Sequence, residues 1–254
     1  MVDYFKVLGV RPGASLAEIK KAYRKKAKIL HPDTSRDESS KKFRELVTAY
    51  EKILELREKN FFGAYSFYRE FYKDEDAPKE FDYHTWLSAR HDDESRAKLI
   101  FFDLMHERED EAVQEFKRMN MSGRNFSLKH WFSREDFMDY GYILAEELVF
   151  RNEYYDAILL LEQIIRLEWS FEYFKVFFPE VKDFTLSILR HNIDGKINDE
   201  LALDVFERAL ELDFSVSDDV FFLKKMSEAY KRLGDAATAK ICMDEAVRLS
   251  KEGK

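Results

Sequence analysis

Chain breakers are scarce here: eight glycines and four prolines serve 254 residues. So few leave little room for the tight turns of a sandwich or barrel, and they favour helices. One cysteine, Cys242, excludes an internal disulfide framework and suits a reducing compartment. No stretch approaches the roughly 18 uncharged apolar residues of a membrane span. The opening MVDYFKVLGV lacks a basic start followed by an apolar signal core, so a cytoplasmic protein without membrane contact is expected. A phosphate loop, an HExxH motif and Cys/His metal spacing are all missing. His84, His91, His106, His130 and His191 are scattered, each read as a surface or internally satisfied residue. No catalytic residue, metal or cofactor is expected, and the chain does not read as an enzyme.

What is present suits a folded protein: 45% apolar and 36% charged residues, with 23 phenylalanines to fill a core. The net charge of −8 is unevenly spread. Residues 1–59 carry 15 Lys/Arg against 9 Asp/Glu, a balance of +6, whereas the rest carries 27 against 41, a balance of −14. The asymmetry implies two units with different partners. A mostly acidic surface argues against nucleic acid.

Ser15 and Glu18 form a capping box, and Ile19, Ala22, Tyr23, Ala27 and Leu30 follow at helical spacing. Lys20, Lys21, Arg24, Lys25, Lys26 and Lys28 fill the other faces and predict a dense positive surface. Pro32 disfavours a helical His31, so the helix should stop there. A second helix starts near Ser39, with Phe43, Leu46, Val47, Tyr50, Ile53 and Leu54 as its apolar stripe. The pair predicts an antiparallel hairpin with His31-Pro32-Asp33 at its exposed bend. A short helix over residues 4–8, ended by Gly9, should pack across it.

The stretches DYFKVLGV, AEIKKAYRKKAKILHPD and KKFRELVTAYEKIL, between residues 3 and 54, resemble the J domain of the DnaJ family. That resemblance implies docking on a DnaK-type heat-shock chaperone and stimulation of its ATP hydrolysis. It implies that His31, Pro32 and Asp33 form the triggering loop. Lys20, Arg24 and Lys25 sit where relatives carry docking cations, with Tyr23 beside them. Lys26 departs from the family, since many relatives have an apolar residue there. The loop before Phe43 is short, and the tail after Leu54 lacks the usual basic-aromatic ending.

No Gly/Phe-rich tract and no CxxCxGxG repeat follows. Instead, aromatics crowd residues 61–72, read as a core or docking helix rather than an exposed binding site, and residues 73–78 read as a loop. Further on, Ala112, Ala157, Ala202 and Ala239 superpose at separations of 45, 45 and 37 residues. Phe116, Leu161, Phe206 and Met243 follow them by four positions, and Leu99, Leu144, Leu189 and Met226 precede them by thirteen. Each segment predicts two amphipathic helices, with the small residue at their crossing. The last, LKKMSEAYKRLGDAATAKICMDEAVRLS, looks like a tetratricopeptide repeat. The others match in spacing alone, and a generic helical solenoid or bundle is the alternative. Ser133 with Asp136, and Ser217 with Asp218 and Asp219, read as helix starts, and Gly234 as a stop. The acidic stretch Glu107–Glu111 reads as an exposed helix start. At Lys98/Phe102, Tyr142/Glu146, Ser187/His191 and Lys224/Glu228, the Lys/Asn pattern that clamps acidic chaperone tails is absent.

The expected architecture is all-α: a J-domain hairpin over 1–59, an aromatic-rich helical connector over 60–91 and tetratricopeptide-like helix pairs over 92–252. The expected role is a co-chaperone whose repeats bind a client or partner protein. The alternative is a scaffold that assembles a complex through its repeats and keeps the J domain as a docking module.

Overall fold

In the computed structural model, residues 3–30, 38–61, 82–122 and 126–252 are described. Among them the chain is all-α, with twelve α-helices, two short 3-10 turns and no strand. The His31-Pro32-Asp33 tripeptide, most of the aromatic run and the 73–78 stretch lie outside the described residues. The chain divides into two compact units, Met1–Tyr140 and Gly141–Lys254.

In the first unit, α1 (Tyr4–Leu8) begins where Asp3 accepts the Lys6 N–H and ends at Gly9 in the left-handed region, φ 73°. Only glycine takes that conformation without steric cost. The reciprocal Ser15/Glu18 box opens α2 (Leu16–Leu30): the Glu18 N–H donates to Ser15 Oγ at 3.1 Å, and the Ser15 N–H donates to Glu18 Oε2 at 2.7 Å. The third helix, α3 (Glu38–Phe61), continues beyond the hairpin edge predicted at residue 59. Arg57 near its end donates to the Ala14 carbonyl just before α2, while Tyr50 stacks on Tyr23 at 4.1 Å. The start of α2 therefore meets the end of α3, so the hairpin is antiparallel. Leu8, Ile19, Leu46, Tyr50 and Ile53 form its core, with Tyr23, Ala27, Leu30 and Leu54 packed around them.

The same opening recurs further along. Asp82 caps the six-residue α4 (Tyr83–Ser88), Asp92 caps α5 (Asp93–Met105), and α6 (Glu109–Asn120) follows. Arg96, buried in α5, donates to the Ser88 carbonyl at 2.6 Å, so a cation closes the end of the short helix. The α5–α6 corner closes when the Arg108 N–H bonds to the Asp103 carbonyl at 2.9 Å, with Glu107 in the left-handed region, φ 56°.

The helix α7 (Arg134–Phe150) begins behind Ser133, whose hydroxyl accepts the Asp136 N–H, and its last ten residues open the second unit. There α8 (Tyr154–Phe171), α9 (Phe178–His191), α10 (Asp199–Leu210), α11 (Val216–Arg232) and α12 (Ala236–Glu252) follow. Ala112, Ala157, Ala202 and Ala239 each fall on the fourth residue of α6, α8, α10 and α12, and all four are buried. Leu99, Leu144, Leu189 and Met226 are buried on the helix before each. Short 3-10 turns at Leu128–His130 and Lys175–Phe177 lie between α6 and α7 and between α8 and α9. Between α8 and α10, Tyr155 donates to Asp204 at 2.9 Å, Arg208 to Glu162 at 3.1 Å, and Arg166 to Glu211 at 2.7 Å.

One helix start differs from expectation. Ser215, not Ser217, caps α11, because Ser215 stands three positions before Asp218 and the two complete a capping box. Gly234, φ 86°, ends α11, with the Asp235 N–H closing on the Tyr230 carbonyl at 2.9 Å.

Candidate functional site

The six cations of α2 do not share one fate. Lys25 and Lys28 are exposed, as are Lys21 and Arg24. Lys26 turns inward and donates to the Val7 carbonyl at 2.7 Å, at the last turn of α1. An apolar residue at 26 would leave that carbonyl without this donor, which explains the departure from the J-domain pattern. Lys20 is only 8% exposed, and its Nζ meets Glu109 Oε1 at 3.2 Å. The positive surface expected from the sequence is therefore narrower, because two of its lysines are spent on partners within the chain.

Tyr23 is half-buried against the hairpin core, with its ring flat on Tyr50. Burial, then the Glu107 and Glu51 carboxylates, pushes the Tyr23 hydroxyl above its ordinary pKa. Tyr50 is pushed far higher, chiefly by burial and then by Glu107, with Arg24 opposing. Both phenols stay protonated across the physiological range, and both sense the α5–α6 corner.

That corner and α7 supply groups the sequence did not mark. Asp139 is 2% exposed, yet its Oδ1 accepts the Leu16 N–H at 2.9 Å and the Ala17 N–H at 3.4 Å, and its Oδ2 meets Arg57 at 3.1 Å. An aspartate more than a hundred positions away thus satisfies orphan donors at the start of α2, at the positive end of its dipole. The stretch Glu107–Glu111 does open a helix, as expected, but Glu109 faces Lys20 rather than open solvent. No local signal marks these partners, since 89 residues separate Lys20 from Glu109 and 82 separate Arg57 from Asp139. The sole hint is the opposite charge balance of the two parts of the sequence.

Elsewhere, His84 Nε2 lies 3.3 Å from Asp103, and His106 and His191 each bond a carbonyl of their own helix. Among the described residues, no cluster of three His, Cys, Asp or Glu could hold a metal ion, and no helix is long and apolar enough to cross a membrane.

The family model described as DnaJ domain matches residues 3–60. DnaJ homolog subfamily B member 6 of Bos taurus is 41% identical over 68 residues, covering 26% of this chain and 28% of that protein. Chaperone protein DnaJ of Bacillus cereus (strain B4264) is 56% identical over 52 residues, covering 20% of this chain and 14% of its own length. Chaperone protein DnaJ 1 of Mycolicibacterium paratuberculosis is 58% identical over 52 residues, with the same coverage. The chain thus spans less than a third of the length of these curated relatives. No solved structure matches. The hairpin of α2 and α3, with α1 across it, is a DnaJ domain.

Proposed function

We infer that this chain is a co-chaperone whose J domain binds a DnaK-type heat-shock chaperone and stimulates its ATP hydrolysis, while its helix pairs bind a client or partner protein. The observation that carries this reading is the DnaJ domain match over residues 3–60, which includes His31-Pro32-Asp33 directly behind a basic helix. In this reading His31, Pro32 and Asp33 trigger hydrolysis, and Lys20, Tyr23, Arg24 and Lys25 belong to the docking face. The cations attract an acidic partner and orient its approach. The loop then supplies the contact that differs between the chaperone's two states, so its effect is allosteric and no atom of His31 enters the chemistry.

The buried alanines that recur on the fourth residue of α6, α8, α10 and α12 support tetratricopeptide-like repeats over 92–252, arranged to hold a peptide or partner helix. The domain edges 1–59, 60–91 and 92–252 belong to the same proposal. The reading predicts that His31→Gln abolishes stimulation of single-turnover ATP hydrolysis by a DnaK-type chaperone, with the far-UV circular dichroism unchanged. Full stimulation by that variant would refute it.

The burial of Lys20 favours a second reading, in which the J domain is a docking piece of a scaffold. Failure of the wild-type chain to stimulate any DnaK-type chaperone, together with stable capture of one non-chaperone partner, would select it.

A further inference from the structure

Within the first unit, three acidic side chains converge on the basic helix. Glu109 holds Lys20, Asp139 caps the first turn of α2 and pairs with Arg57, and the Glu107 charge helps to raise the pKa of Tyr23 and Tyr50. Leu16, Ala17 and Lys20 share one side of α2 and are all buried, yet none belongs to the hairpin's core cluster. Lys20 is also one of the cations placed at the docking face. A buried lysine bound to a carboxylate cannot at the same time present its charge to another protein.

We propose that the acidic corner Glu107–Glu109 and Asp139 form an intramolecular clasp on α2 that competes with the chaperone for the same helix, so that the J domain is held back until the clasp opens. The proposal rests on the co-chaperone reading and adds its regulation. The chaperone's acidic surface and the clasp offer α2 the same chemistry, carboxylates for a lysine, so the two are mutually exclusive at Lys20. Opening removes no member of the hairpin's own apolar core, because that core does not use the clasp residues. The backbone at Glu107 points the same way. It holds φ 56° at the left-handed position of a helix stop, which glycine adopts freely and glutamate only at a cost. The carboxylate kept there helps to raise the pKa of Tyr23 and Tyr50.

The test uses the full-length chain with Glu107→Gly and Glu109→Gln combined. Glycine suits the backbone at 107 and glutamine is isosteric at 109, so the fold survives; Glu109→Gln alone is the milder second variant. Amide exchange at Leu16 and Ala17 reads clasp opening directly, and single-turnover ATP hydrolysis by a DnaK-type chaperone reads the consequence. Faster exchange, with half-maximal stimulation reached at roughly five-fold lower concentration or less, is expected, the low end of coupling between linked sites. Faster exchange with unchanged or weaker stimulation overturns the clasp while leaving the co-chaperone reading standing. Unchanged exchange also overturns it. Absence of stimulation by both wild type and variants defeats the co-chaperone reading, and the clasp with it.

Discussion

Lys26 and Gly9 form a small device at one corner of the J domain. Gly9 turns the chain out of α1 at φ 73°, and a Cβ added there would come within 2.9 Å of Lys26 Nζ, the same atom that holds the Val7 carbonyl. A lysine tip can move aside, so the backbone conformation dominates the cost of a side chain here. Gly9→Ala should destabilise the J domain by about 1–2 kcal/mol, measured by denaturant unfolding followed at a signal from α1–α3. A neutral result would mean that α1 tolerates a different ending. The Gly9 stop was legible because glycine's freedom is intrinsic to the residue, and the Ser15/Glu18 box because both partners lie within one turn. Lys26 was not: helical spacing places it outside the apolar stripe, and its acceptor lies 19 residues away on another helix.

At the scale of elements, the alanine register is the most legible long-range feature of the chain. A buried position that admits only a small side chain leaves the same mark wherever it recurs, so four alanines aligned by sequence fall on the same residue of four helices. Ala202 on α10 is fully buried in the second unit, whereas Ala237 on α12 is exposed. Ala202→Leu adds bulk where close-packed neighbours cannot withdraw, and it should cost about 1–3 kcal/mol. The same change at Ala237 should stay within about 0.5 kcal/mol. Thermal unfolding of the two variants separates these expectations, and equal effects would deny the buried alanine register its role. Caps were less legible than the alanine register. Serines at 215 and 217 both precede aspartates, and only the three-residue spacing to Asp218 decides which one starts the helix.

For the molecule as a whole, the sequence reveals the totals of opposite charge but not their pairing. A basic stretch of 59 residues followed by an acidic remainder reads as two surfaces for two partners, yet within the first unit part of that charge is spent on itself. A hairpin of about 60 residues buries little surface and is marginal alone, so the contacts that tie it to later helices bear on its persistence. Asp139 carries several of them at once: two backbone donors of α2 and the Arg57 guanidinium meet on one buried carboxylate. Removing it leaves the two α2 donors without this acceptor and takes one carboxylate from Arg57, which keeps the Ala14 carbonyl. Asp139→Ala should therefore destabilise the first unit by about 3 kcal/mol, the low end for breaking a buried ion pair. Amide exchange at Leu16 and Ala17 should accelerate by about a hundred-fold or more, while protection in α10 and α11 stays as in the wild type. Unchanged exchange at Leu16 would mean that α2 is held in the first unit by apolar contact alone, with the charges merely following.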